Sequence, residues 1–251
     1  MMWLELRYLD MASTYIYLVA ELGFFLGVLS LLLAATLVHE TGHAVAGLIC
    51  GFRIMGIRVG PVEFRWEKKW VRKSGKSSLT GGFVLAHFRE VPGPSGIWRC
   101  FALCISGPLA NLLAALVLLP FSFGPTVIGT VGGYLFVAFV FDGFVNLIPF
   151  KTKFGWSDGA KLCWLIFSKK RRHKMLFLYS LMARVEELNK LSKAGQLAEA
   201  LQKTNALIAT AQNILNSESL IEWMQKLLTF RDAIQTQLEE TEKPSTVAAT
   251  T

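Results

Sequence analysis

Three stretches of the chain run almost without charge: Leu22–Val38 continuing through Ala44–Cys50, then Cys100–Leu119, then Thr126–Phe141. At a rise of about 1.5 Å per residue, about 20 residues cross a hydrocarbon layer of about 30 Å. The pattern therefore predicts three membrane-spanning helices, over roughly 22–50, 97–119 and 126–150. Residues 1–21 form an N-terminal segment that either begins the first helix or lies along the interface. The first apolar run does not read as a simple signal peptide: it is too long, lacks a basic leading region, and holds polar residues in its midst.

Between the first and second spans the period changes. In residues 52–66, Phe52, Ile54, Ile57, Val59, Val62, Phe64 and Trp66 interleave with Arg53, Arg58, Glu63 and Arg65. The spacing is mostly two, broken at Gly56 and at Gly60-Pro61, and predicts short strands. "KKWVRKSGKSS" (68–78) reads as an exposed turn. "LTGGFVLAHF" (79–88) resumes a strand-like run through Gly81 and Gly82, which closes a β segment over 52–88. After Asp158 the pattern turns helical and amphipathic. Leu178, Met182, Val185, Leu188 and Leu191 form one stripe; Leu220, Trp223, Leu227, Phe230, Ile234 and Leu238 form another. Gly195 and "NSES" separate the helices, and 244–251 reads as a disordered tail. The expected architecture is an α-helical integral membrane protein. It has an N-terminal segment (1–21), a membrane core (22–168) with a short membrane-associated β segment, and a small cytoplasmic helical domain (169–243).

Composition agrees. Of 251 residues, 53% are hydrophobic and 18% charged, with mean hydropathy +0.43, too apolar for an ordinary soluble domain. A net charge of +8 suggests nucleic acid, but the positions argue against such a partner. Residues 52–76 hold eight basic and two acidic residues, and "KKRRHK" at 169–174 adds five Lys and Arg; both clusters flank apolar spans. Residues 1–21 hold three acids and one base, and "PFSFGP" between the second and third spans holds no charge. The asymmetry places both clusters and the C-terminus in the cytoplasm, and the N-terminus outside, in a multi-pass protein of the cell membrane. The same clusters suit anionic headgroups of the lipid bilayer. Cys50, Cys100, Cys104 and Cys163 show no C-x-x-C spacing and read as packing residues.

One polar motif interrupts the first span. "HETGH" places His39 and His43 one helical turn apart with Glu40 beside them. H-E-x-x-H on a helix lets two imidazoles bind one Zn²⁺ while the glutamate acts as general base. Zinc lowers the pKa of a coordinated water to about 7. In soluble helices the pattern is often only surface polarity. Within a membrane, an ionisable residue costs about 2.5–3.5 kcal/mol or more, so it marks function. Seven apolar residues follow His43, which puts the motif about 10 Å below the cytoplasmic surface.

Two more motifs follow in order on the later spans: "GPLAN" (Gly107, Pro108, Asn111), then "NLIP" with a downstream Asp-Gly (Asn146, Pro149, Asp158, Gly159). Together with "HETGH" they resemble the site-2 protease family of intramembrane zinc metalloproteases, over roughly residues 22–165. The resemblance implies a three-span zinc-protease core. It implies one Zn²⁺ held by His39, His43 and Asp158, with Glu40 as base. It also implies that Gly81 and Gly82 belong to a β segment that pairs with extended substrate. Asn146 either holds the substrate backbone or donates to the developing oxyanion, or makes an ordinary interhelical hydrogen bond. One departure stands out: the family usually has four residues between the proline and Asp-Gly, and here eight intervene, "FKTKFGWS". Asp142-Gly143 offers a rival ligand at the right depth but precedes Asn146, out of family order; otherwise Asp142 serves an interhelical hydrogen bond.

The expected activity is a zinc metalloendopeptidase acting on transmembrane protein substrates. A catalytically idle membrane scaffold or chaperone is the alternative, disfavoured by the intact Glu40. A zinc transporter would show several polar spans or an internal repeat, and neither is present. The helical tail is a candidate surface for a cytoplasmic protein partner.

Overall fold

The computed structural model describes residues 2–66, 69–72, 81–152, 155–214 and 218–242. Its described chain divides into two compact units: 1–86 with 95–169, and 87–94 with 170–251.

In the first unit, helix α1 runs unbroken from Met2 to Ile49, so the N-terminal segment begins the same helix. Helix α2 (Gly96–Leu118) continues into a short 3₁₀ turn at Leu119–Phe121, and helix α3 covers Val127–Leu147. Tyr17–Ile49, Gly96–Phe121 and Val127–Leu147 are each long and apolar enough to cross a membrane. Thr126 starts α3 by accepting a hydrogen bond from the Gly129 amide at 3.1 Å. Pro149 accounts for its end: the residue before proline avoids the helical region, and Ile148 is extended (φ −74°, ψ 131°).

Small residues let α1 and α2 meet. A β-carbon on Gly42 would fall 2.5 Å from Ala110 Cβ and 2.6 Å from the Ser106 carbonyl oxygen; one on Gly47 would fall 3.2 Å from Leu103 Cδ1. As numbers rise on α1 they fall on α2, so the two helices are antiparallel. Ala35, Ala115 and Phe139 bring all three helices into one apolar cluster. Phe24, Leu113, Val127, Tyr134 and Phe144 stay exposed, as outward faces do in lipid. Gly129 and Gly133, spaced as a helix-contact motif, pack instead on Gly124 and Ser122 of the α2–α3 turn.

Four strands form one sheet in the order β3-β2-β1-β4: β1 Phe52–Val59, β2 Val62–Arg65, β3 Lys69–Arg72 and β4 Gly82–Phe88. Strands β1 and β2 are an antiparallel hairpin (Val59↔Val62, Gly56↔Arg65), turned at Gly60 with φ +57°. The reading of 68–78 as a turn is corrected over Lys69–Arg72. That stretch pairs antiparallel with β2 (Phe64↔Trp70, Glu63↔Val71), and its flanking lysines and arginines masked a strand of only four residues. Residues 73–78 lie outside the described chain.

The longer connection between Pro149 and Asp158 holds a small hairpin. Strands β5 (Lys151–Thr152) and β6 (Gly155–Trp156) pair as Lys151↔Trp156 and Thr152↔Gly155. Helix α4 (Asp158–Phe167) follows immediately.

In the second unit, helices α5 (Lys169–Lys193), α6 (Leu197–Ile214) and α7 (Glu218–Glu242) enclose Phe177, Leu181, Leu188, Leu207, Ile208, Ala211 and Leu227. Gly195, at φ +75°, makes the tight turn between α5 and α6. Of the stripe expected on α5, Leu188 is buried and Val185 packs on the same core, while Leu178 is 48% exposed and Phe177 and Leu181 take the buried places toward the start of the helix. The side chains of Leu220 and Trp223, and the tail 244–251, lie outside the described residues.

Candidate metal centre

Three donor atoms converge in the first unit. Asp158 Oδ2 lies 2.9 Å from His39 Nε2 and 3.1 Å from His43 Nε2, and the two Nε2 atoms are 3.1 Å apart. All three residues are buried, and together they can hold a metal ion. A tetrahedral zinc with donors at about 2.0–2.1 Å keeps them about 3.3 Å apart, so the triangle fits with a slight expansion.

Helix α1 supplies both histidines, since i and i+4 share a face. Their ring nitrogens are sorted by neighbours. His43 Nδ1 lies 2.5 Å from the Leu103 carbonyl oxygen, which can only accept; Nδ1 therefore carries the proton and Nε2 is a free donor to metal. On His39, Nδ1 faces the Asp142 carboxylate, with Oδ2 at 3.3 Å. That approach is bent from a good hydrogen bond, and Nδ1 has no other partner among the described residues. Asp142 Oδ2 in turn accepts from Asn111 Nδ2 at 2.6 Å. The rival ligand Asp142 thus sits behind His39, away from the triangle. The structure also places Gly107 directly beneath the imidazoles: a β-carbon there would collide with His43 Nε2 and lie 2.7 Å from His39 Nε2.

Asp158 arrives from α4, and the hairpin explains how. Ser157 N donates to the Phe150 carbonyl at 3.1 Å, so the connection closes on itself and the chain resumes near where Pro149 left it. The Ser157 hydroxyl donates to the Ile148 carbonyl at 2.7 Å and accepts from Phe150 N at 3.1 Å and Ala160 N at 3.2 Å. It therefore both closes the hairpin and caps α4. Gly159 packs on the Leu147 and Ile148 backbone, where no side chain fits. Lys161, one turn along α4, donates to Asp158 Oδ1 at 2.8 Å and leaves Oδ2 for the histidines. Paired with the Lys161 ammonium through Oδ1, the Asp158 carboxyl offers Oδ2 as an anionic donor.

Glu40 is 5% exposed and lies outside the triangle; its Oε2 has no hydrogen-bond partner among the described residues. Gly82, at the start of β4, lies against its carboxylate. Gly81 accepts from Gly60 N at 2.8 Å. Asn146 spends a donor on the Asp142 carbonyl, one turn back on its own helix, at 3.1 Å. Sequence reasoning missed Ser157, Lys161 and the Leu103 carbonyl. Ser157 carried a readable signal, a serine just before a helix start; a backbone carbonyl leaves none.

The family model for Peptidase family M50 matches residues 24–250. A search of curated proteins finds no match.

Proposed function

The chain belongs to peptidase family M50, the site-2 protease family, and on that premise we propose that it is an intramembrane zinc endopeptidase. It hydrolyses peptide bonds in or near transmembrane segments of membrane-anchored protein substrates. The observation that carries this reading is the buried His39–His43–Asp158 triangle with Glu40 beside it, the Glu40 Oε2 having no hydrogen-bond partner among the described residues.

Two neutral imidazoles and one carboxylate are a zinc donor set, and three protein ligands leave a fourth position open, as catalytic sites do. Zinc bound there supplies Lewis acidity and an acidified water. Glu40 is the general base: its free Oε2 can accept the proton of the attacking water and return it to the leaving amine. Asn146 and the backbone at Gly81 and Gly82 support the substrate or its developing oxyanion. A helical substrate shields its own carbonyls, so it must unwind locally. Strand β4 ends the sheet order, and an edge strand beside Glu40 suits pairing with an unwound stretch.

The basic clusters favour a cytoplasmic loop 52–76 and C-terminus, with the N-terminus outside the cell membrane. The helical unit is then available to a cytoplasmic protein partner. Comparative membrane proteomics of wild type against Glu40→Gln tests the activity. Accumulation of single-span proteins in the variant is expected; identical membrane proteomes would favour an idle scaffold.

A further inference from the structure

We infer that Asp142 is a positioning residue for the metal centre: backed by Asn111, it holds the His39 ring so that Nε2 faces His43 and Asp158. This rests on the reading that those three residues hold zinc.

The argument starts from two buried polar groups. Among the described residues no group makes a well-aligned hydrogen bond to buried His39 Nδ1, and Asp142 Oδ2 approaches it to 3.3 Å in a bent geometry. That carboxylate is placed to select which ring nitrogen turns toward His43 and Asp158. Asp142 Oδ2 is itself placed from α2, because Asn111 is fully buried and donates to it at 2.6 Å. A chain of three groups on three helices, Asn111 on α2, Asp142 on α3 and His39 on α1, therefore ends at Nδ1, the ring nitrogen opposite the metal-facing Nε2.

Economy of charge points the same way. A contact that only ties α2 to α3 needs no carboxylate; an amide pair would serve. A carboxylate within a membrane span is costly, and the Asp142 side chain is only 25% exposed. A negative acceptor on the far nitrogen of a ligating histidine raises its basicity and fixes its tautomer. His43 receives the neutral counterpart from the Leu103 carbonyl. The two ligands of one helix are thus oriented from two different neighbours.

Cobalt(II) titration of the purified full chain, followed by visible absorption, tests the inference. In wild type a tetrahedral cobalt spectrum is expected, lost in His39→Ala. If wild type shows no His39-dependent site, the zinc reading fails and this inference falls with it. Given that site, Asp142→Ala should weaken cobalt binding about 10- to 100-fold and shift the absorption band. Asp142→Asn, which keeps an acceptor oxygen, should lose less and carries the test if the alanine variant does not fold. Asn111→Ala should weaken binding in wild type but add little to an Asp142 variant, because the two act in series. Wild-type affinity and spectrum in the Asp142 variants, whatever happens to thermal stability, would show a mere helix tie and overturn the proposal.

Discussion

Gly82 of strand β4 lies so close to Glu40 of helix α1 that a β-carbon on it would fall 2.5 Å from Oε1 and 2.6 Å from Cγ. The strand passes the carboxylate with backbone alone. Gly82→Ala must displace the Glu40 side chain, which can swing, rather than either backbone. We expect cleavage to fall at least tenfold while metal content stays near one ion per chain. Metal analysis beside a cleavage assay checks this; full activity would mean that Glu40 works from another position.

Glu40→Gln should abolish cleavage and retain zinc, because Glu40 stands outside the donor triangle. Elemental analysis of the purified variant decides: loss of the metal together with activity would make Glu40 a ligand.

Asp158→Ala removes the anionic corner of the triangle and leaves the Lys161 ammonium without its carboxylate. Zinc occupancy and cleavage should both be lost. Asp142→Asn should keep zinc and part of the activity. The reverse pattern would assign the third ligand to Asp142.

Ser157→Ala deletes one hydroxyl that serves three backbone groups. Loss of the helix cap alone costs about 1 kcal/mol, and the base of the hairpin opens as well. A lower thermal midpoint with weaker metal binding is expected, with partial rescue by Ser157→Thr. Unchanged zinc affinity would show that α4 is placed without this brace.

Accessible cysteines introduced singly as Ser74→Cys and Thr246→Cys should label from the same side of the membrane, the cytoplasmic one. Labelling from opposite sides would exclude an arrangement with three spans.

The sequence by itself determined the three apolar helices, the histidine pair and its glutamate, because each is local. Hydrophobic runs of sufficient length report spans, and i, i+4 spacing puts His39 and His43 on one face whatever surrounds them. The family motifs also ordered the parts along the chain. Much of the rest depends on contacts between distant residues. The eight residues "FKTKFGWS" read as a departure that put Asp158 in doubt; folded, Lys151–Thr152 pairs with Gly155–Trp156, Ser157 closes back on Phe150, and Asp158 lies at the histidines. Asp158 and Asp142 are both aspartates followed by glycine, and only motif order favoured Asp158 in the sequence; the packing of α1 on α2 and α3, and of α4 on α2 and α3, puts one at Nε2 of His39 and the other at Nδ1. The Leu103 carbonyl oriented toward His43 was equally invisible, since every residue has a carbonyl and only tertiary structure aims this one.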